Sequence, residues 1–189
     1  MSKTIVIIMG ASGCGKSTLE KALNESESVY KTVSVTTREM RINEVDGVDY
    51  HFISDEEFNL LDSENKLIQK TSFCGVKYGT TYCEYETDHE FTTLVAVPES
   101  ACKFIPVLQE RYPDYKIRTI FFDITTARLI SNMLLRGDTE HMIAERLASD
   151  DIAQQWLDAD PPIEYDILVN NSMLNPSLSK YIKNELNIA

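Results

Sequence analysis

Ile5-Val-Ile-Ile-Met9, running directly into Gly10-Ala-Ser-Gly-Cys-Gly15-Lys16-Ser17, is the stretch whose reading decides the fold. Five consecutive apolar residues rich in β-branching read as a strand buried on both faces, and the run stops at the first glycine. From about Lys16 to Asn24, Leu19, Ala22 and Leu23 fall at helical spacing. Between strand and helix the pattern G-x-x-x-x-G-K-[ST] is met without departure. Its glycines let successive backbone N–H groups turn inward around a phosphate, and the helix N-terminus adds partial positive charge. Gly10, Ser12, Gly13, Cys14, Gly15, Lys16, Ser17 and Thr18 are therefore the candidate ATP-binding residues. Lys16 is placed to bridge the terminal phosphates, and the Ser17 hydroxyl to ligate Mg²⁺.

Outward from this unit, Leu94-Val-Ala-Val97, Ile117-Arg-Thr-Ile-Phe-Phe122 and Ile167-Leu-Val169 are short apolar runs separated by helical patterns. That alternation predicts an α/β fold with a parallel sheet. Between about Ser34 and Phe91 the texture turns polar, aromatic and turn-rich, with Asp46-Gly47, Cys74-Gly75 and Tyr78-Gly79 as punctuation, which predicts a small β-rich insertion. A second polar stretch, about Thr125 to Asp160, carries Arg136, Arg146 and many acids in a helical pattern and reads as a helical lid closed off by Pro161-Pro162.

The 189 residues suit one domain, and 18 basic against 30 acidic side chains give a formal charge of −12. Such a surface repels a nucleic-acid backbone or an anionic membrane, so neither is expected as a principal partner. The opening apolar run is too short for a signal peptide or a membrane span, so the expected location is cytoplasmic. Cys14, Cys74, Cys83 and Cys102 show no metal or disulfide spacing, and His51, His89 and His141 are scattered. They read as small core or loop residues of a reducing compartment. Glu56, Glu57, Glu84, Glu86, Asp150 and Asp151 read as solvated faces, and Trp156 as packing.

In an acidic chain, Thr36-Thr37-Arg38-Glu-Met-Arg41 places two guanidinium groups three residues apart beside paired threonines. Guanidinium grips phosphate bidentately, so the segment suggests an anion site, the alternative being two surface arginines. Glu44-Val-Asp-Gly-Val-Asp-Tyr50-His-Phe52 and Phe73-Cys-Gly-Val-Lys-Tyr78-Gly79-Thr80 follow. Together with the phosphate loop, these segments resemble the guanylate kinase family, whose pattern runs P-loop, S-x-T-T-R-x-x-R, G-x-D-Y-x-F and Y-G-[ST]. The likeness spans most of the chain in layout and is specific mainly over residues 4 to 80.

The resemblance implies an α/β, P-loop NTPase-type parallel sheet with helices on both faces, an inserted NMP-binding subdomain and a helical lid. The core would comprise about 1–33, 92–124 and 161–189, the NMP-binding insertion about 34–91 and the lid about 125–160. By position, Ser34, Arg38, Arg41, Tyr50, Gln69, Tyr78 and Thr80 would match the family's acceptor-binding residues. The arginines and tyrosines would take the phosphate, with Ser34 and Thr80 near the base. Arg136 and Arg146 resemble the family's phosphate-contacting lid arginines and join Lys16 and Arg41 as candidate catalytic residues, while Asn170 resembles the asparagine beside the donor adenine.

Three departures stand out. Gln69 occupies the place of a glutamate whose two oxygens accept from guanine's adjacent N–H donors. The family's D-x-D is missing from Leu94-Val-Ala-Val-Pro-Glu99, and a lid arginine one turn before Leu135-Arg-Gly137 has become Asn132 or Met133. The implied function is ATP- and Mg²⁺-dependent phosphorylation of a nucleoside monophosphate, GMP or dGMP first. Altered base choice (dTMP, dUMP or a modified-base dNMP) and, in another class, a non-catalytic guanylate-kinase-like binding module are the alternatives. The intact loop argues against the module, and oligomeric state stays open.

Overall fold

The computed structural model describes residues 3–42, 44–73, 75–157 and 164–189, with side chains described throughout except at 73 and 149–157. Strand β1 (Thr4–Gly10) is buried along its whole length. Val6 and Ile8 face one core cluster with Leu19 and Leu23 of helix α1 (Lys16–Leu23) and Ile182 and Leu186 of the last helix, Leu178–Leu186. Ile5, Ile7 and Met9 face the other cluster, with Phe104 and Leu108 of the helix Pro98–Arg111. A strand covered on both faces has no polar side to show, which is why its sequence runs apolar without alternation.

Beside β1 lie β2 (Val29–Lys31), β7 (Phe91–Ala96), β8 (Lys116–Asp123) and β9 (Ile167–Asn170), in the order β2-β7-β1-β8-β9. Every pairing in this sheet is parallel, as the alternation of short strands and helices predicts. The phosphate loop leaves the carboxyl end of β1, the edge of an open parallel sheet at which ligands bind.

The insertion forms a second sheet of β3 (Val35–Thr36), β4 (His51–Phe52), β5 (Leu67–Phe73) and β6 (Val76–Thr81), in the order β4-β3-β6-β5. It is mixed: β3 pairs parallel with β4 and antiparallel with β6. Helix α2 (Asp55–Ser63) opens with a capping box in which Ser54 Oγ accepts from Glu57 N–H and Glu57 accepts from Ser54 N–H. Helix α3 (Pro98–Arg111) covers the sheet face that carries Ile5, Ile7 and Met9.

The polar stretch after β8 comprises α4 (Thr126–Leu135) and α5 (Glu140–Leu157), and α6 (Leu178–Leu186) ends the fold. Leu129 and Met133 of α4 and Ile143 of α5 join the same core cluster as α1. No described helix is long and apolar enough to cross a membrane. Cys74, Pro161-Pro162 and the side chains of Trp156, Asp150 and Asp151 lie outside the described residues.

One surface expectation is overturned. Glu84 is buried, not solvated: its Oε2 accepts from Val33 N–H at 2.6 Å and from the Tyr30 hydroxyl at 3.0 Å. It thereby ties the segment after β6 to the end of β2, and the partners' distance in sequence hid the role.

Candidate active site

A cavity of about 1030 Å³ lies between the phosphate loop, the small sheet and the lid helices. Its loop wall is built by steric necessity. Gly10 sits at φ +149°, and a Cβ there would come within 2.8 Å of both Cys14 Sγ and Phe122 Cβ. Gly13 sits at φ +81°, where a Cβ would meet Met133 Cγ at 2.9 Å and the Leu129 carbonyl at 3.0 Å. Only glycine allows the loop to turn this tightly against β8 and α4. Asn132 Nδ2 donates to the Gly13 carbonyl at 2.8 Å, pinning the loop to α4.

The helix begins at Lys16, so its first N–H groups have no partners within the helix. Ser12, Gly13, Cys14, Gly15, Lys16, Ser17 and Thr18 line the cavity. Lys16 Nζ folds back onto the loop carbonyls of Gly10 (2.7 Å) and Ala11 (2.8 Å). Gly10 contributes through that carbonyl.

Opposite the loop, Arg38 is clamped by Glu44: Nη2 donates to Oε1 at 2.7 Å and Nη1 to Oε2 at 3.0 Å. Glu44 also accepts from the Arg41 backbone N–H at 2.8 Å and sits 3.7 Å from its guanidinium. Burial works against the Arg38 charge, yet hydrogen bonding to Glu44 raises its pKa further; the same pairing outweighs burial at Glu44 and lowers its pKa. On the lid, Asp138 accepts from Arg136 Nε at 3.0 Å and stands 3.4 Å from Arg146 Nε. Its pKa falls because these arginines outweigh the effect of burial.

The Arg41 pKa is lowered, first by burial and then by the charges of Arg38, Arg136 and Arg146, with Glu44 opposing. Arginines from the insertion and from the lid therefore feel one another across the cavity. Four guanidinium groups against two carboxylates leave an excess of positive charge that an anion would neutralise. Arg128, one turn before Asn132 on α4, also lines the cavity and escaped the sequence reading.

Tyr50 and Tyr78 line the same cavity, with ring centroids 6.0 Å apart and the Arg38 guanidinium 5.6 Å over the Tyr50 ring. The Tyr50 hydroxyl is pushed up to about 12 by burial, with the neighbouring Tyr78 adding to it. It is a neutral hydrogen-bonding group at ordinary pH. Farther in, Ser34 Oγ and Thr80 Oγ1 are 2.8 Å apart, Thr80 Oγ1 donates to Gln69 Oε1 at 3.1 Å, and Gln69 Nε2 donates to Ser100 Oγ at 3.1 Å. This chain joins the small sheet to the first turn of α3. Ser100 is a second residue that sequence reasoning missed.

Asn170 is not among the lining residues: its Oδ1 accepts from Ser172 N–H and Oγ just beyond β9. Leu174, Asn175, Pro176 and Ser179 reach the cavity instead. Val95 and Val97 line it at the end of β7, while Glu99 points away to Lys103. No cluster of three metal-ligating acids, histidines or cysteines occurs among the described residues. The donors that fit a magnesium nucleotide are thus the Ser17 hydroxyl and Lys16, beside the open N–H groups of α1.

A family model described as guanylate kinase matches residues 2–185. A guanylate kinase of Synechocystis sp. is 33% identical over 184 residues, covering 95% of this chain and 91% of that protein. One from Enterococcus faecalis is 32% identical over 152 residues, 76% of this chain and 71% of the other. One from Thermobifida fusca reaches 46% over 79 residues, spanning only 40% of its own length. In three dimensions, the crystal structure of guanylate kinase from Anaplasma phagocytophilum superposes with a TM-score of 0.69 at 24% identity, covering 98% of this chain and 85% of that one. The match over nearly the whole length agrees with the loop, the mixed small sheet and the facing arginines, and the chain belongs to the guanylate kinase family.

Proposed function

We propose that this chain catalyses phosphoryl transfer from ATP to a nucleoside monophosphate, with GMP and dGMP as the first acceptors to test. The observation that carries the reading is the single cavity lined by Lys16 and Ser17 on one side and by Arg38, Arg41, Arg136 and Arg146 on the other. Phosphoryl transfer asks the protein for alignment, exclusion of water and cations around spreading negative charge, and needs little covalent chemistry from side chains. Bound Mg²⁺-ATP supplies the transferable phosphoryl group and neutralises part of its charge.

The residues divide that work. Lys16 and the first turn of α1 hold the donor phosphates, and Ser17 offers a hydroxyl to the metal. Arg38 and Arg41, oriented by Glu44, hold the acceptor phosphate with Tyr50 and Tyr78. Arg136 and Arg146, oriented by Asp138, meet the charge from the lid side and help exclude water. Arg128 lines the cavity one turn before Asn132 and Met133, where the resemblance would place a further arginine of the phosphate clamp.

A second reading, altered base choice, is favoured by Gln69. Its amide is fixed with its oxygen toward Thr80 and its nitrogen toward Ser100, so it offers no pair of acceptors to guanine's neighbouring N–H groups. dTMP, dUMP or a modified-base dNMP would suit such an amide.

The test is a panel in which purified protein, ATP and Mg²⁺ receive each NMP and dNMP separately while ADP formation is recorded. The expected result is turnover of at least one monophosphate, with Lys16→Ala lowering kcat by about two orders of magnitude or more through lost stabilisation of the transferring group. Turnover unchanged in that variant sinks the assignment. Phosphopeptide binding without any turnover would support the binding module instead.

A further inference from the structure

Helix α1 carries a carboxyl group that the donor site does not use. Glu20 is one turn beyond Lys16, is 4% exposed and lines the cavity. Its side chain interacts with Thr93 on β7, and the Lys31 charge acts on it. Lys31 itself is committed elsewhere, donating Nζ to the Val48 carbonyl at 2.9 Å. No described cation lies within ion-pair distance of the Glu20 carboxyl, so its burial is uncompensated by a salt bridge. An unpaired acid in that place is expensive, and a leucine would fill the same helix position without the cost.

A second group points to the same place. Thr32, just after β2, is also 4% exposed and lines the cavity, and its Oγ1 is buried with no hydrogen-bond partner. Buried hydroxyls are nearly always satisfied, and an orphan one at a cavity wall is a partner waiting for a ligand atom. Thr32 backbone N–H is bonded to the Thr93 carbonyl, which keeps it beside the strand residue that Glu20 touches. Two residues on, Ser34 enters the chain of hydroxyls and amide that ends at Gln69.

We infer that Glu20 and Thr32 form a specificity-determining pair on the core side of the acceptor chamber, taking a hydrogen-bonding edge of the acceptor nucleoside. The inference rests on the acceptor role of this chamber proposed above. Gln69, Thr80 and Ser34 then hold the nucleoside from the small sheet, while Glu20 and Thr32 hold it from α1 and the end of β2. The edge they take is a base N–H with its neighbouring acceptor or a sugar hydroxyl. Both present the donor and acceptor that a carboxyl and a hydroxyl require. Asp49 and Tyr50 face the chamber from the loop before β4, so the pair acts among polar neighbours and not in isolation.

The experiment is isothermal titration of wild type, Glu20→Gln, Glu20→Leu and Thr32→Val with GMP, dGMP, dTMP, dUMP and ATP, each variant also being melted. Glu20→Leu should weaken the preferred monophosphate roughly 10- to 100-fold, and Glu20→Gln and Thr32→Val by less, with ATP affinity held within about twofold. Melting temperatures of both Glu20 variants should equal or exceed that of wild type, because an unpaired buried carboxyl has been removed. A loss seen with GMP and not with dGMP assigns the contact to the sugar 2′-hydroxyl, and a loss shared by both assigns it to the base or the 3′-hydroxyl; either supports the inference. Monophosphate affinities unchanged in Glu20→Leu and Thr32→Val overturn it, leaving the pair structural. Monophosphates that bind wild type without being turned over would remove the kinase reading while leaving this comparison intact, and a wild type that binds none overturns both.

Discussion

Both carboxylate oxygens of Glu44 hold the Arg38 guanidinium, at 2.7 and 3.0 Å, and one of them also accepts the Arg41 backbone N–H. Glu44 therefore positions two arginines at once. Glu44→Ala should raise the acceptor KM about tenfold or more, because two forks lose their fixed direction, while the KM for ATP stays put. The fold should lose about 1–3 kcal/mol, the scale of a hydrogen-bonded charge left without its partner. Initial rates against each nucleotide and a chemical melt check both halves; equal loss of ATP and acceptor binding would place these arginines elsewhere in the reaction.

Gly13 gives a sharper structural test, since Gly75 supplies a matched control. Both have positive φ, +81° and +75°, but a Cβ at Gly13 meets the Leu129 carbonyl at 3.0 Å and Met133 Cγ at 2.9 Å, whereas at Gly75 nothing lies within 4 Å. Gly75→Ala should cost only the conformational penalty, about 1–2 kcal/mol. Gly13→Ala adds the clash with backbone and core, so its Tm should fall further and its ATP affinity with it. Equal melting temperatures for the two variants would mean that α4 does not press on the loop.

The parts of the site that share a local pattern were legible in the sequence, and the parts that reach across it were not. The phosphate loop is one continuous run, and Arg38 and Arg41 are three residues apart, so spacing alone could suggest them. Asp138 lies two residues from Arg136, yet in a chain with 30 acidic residues nothing marks it as the one that also approaches Arg146. Ser100 meets Gln69 across 31 positions and Glu84 meets Val33 across 51, distances over which composition carries no signal. Glu20 was obscured differently: on a short helix with Leu19 and Leu23 buried, it reads as one more polar residue until its burial is seen. The parallel β3–β4 pair was equally hidden, since strands of two residues carry no periodicity.

Burial of Glu20 has a pH signature. Desolvation pushes its carboxyl up to about 8, against the ordinary value of 4.5, with Lys31 and Thr93 opposing. The folded state thus binds a proton that the unfolded state releases, and stability from this group is fully present below about 4.5 and is lost as pH rises toward 8. Tyr50, whose hydroxyl feels the Glu20 charge, stays neutral over that range. Wild type and Glu20→Gln should accordingly melt alike near pH 5 and diverge by pH 8, the variant being the more stable. A Tm difference that stays constant from pH 5 to 8 would show that the carboxyl does not titrate in this window.

Under the proposed function, base choice is expected to turn on Gln69. Thr80 donates to its oxygen and its nitrogen donates to Ser100, so the amide is held from both ends and its orientation is not free to adapt. Guanine presents N1–H and N2–H₂ side by side and asks for two acceptors; an amide provides one acceptor and one donor. It suits instead O4 and N3–H of thymine or uracil, or O6 and N1–H of guanine in a shifted pose. A glutamate at this position would restore both acceptors, and the local structure tolerates it because the Ser100 hydroxyl can rotate to donate where it now accepts. An unpaired or missing hydrogen bond to a charged group costs about 1–3 kcal/mol, roughly ten- to a hundredfold in discrimination. Gln69→Glu should therefore shift the ratio of kcat/KM for GMP or dGMP over other monophosphates by that factor. Ser100→Ala, which frees the amide nitrogen without adding charge, should move it much less. If wild type already selects GMP strongly and the glutamate leaves the ratio unchanged, Gln69 does not read the base, and the hydroxyls of Ser34 and Thr80 would have to carry selection without it.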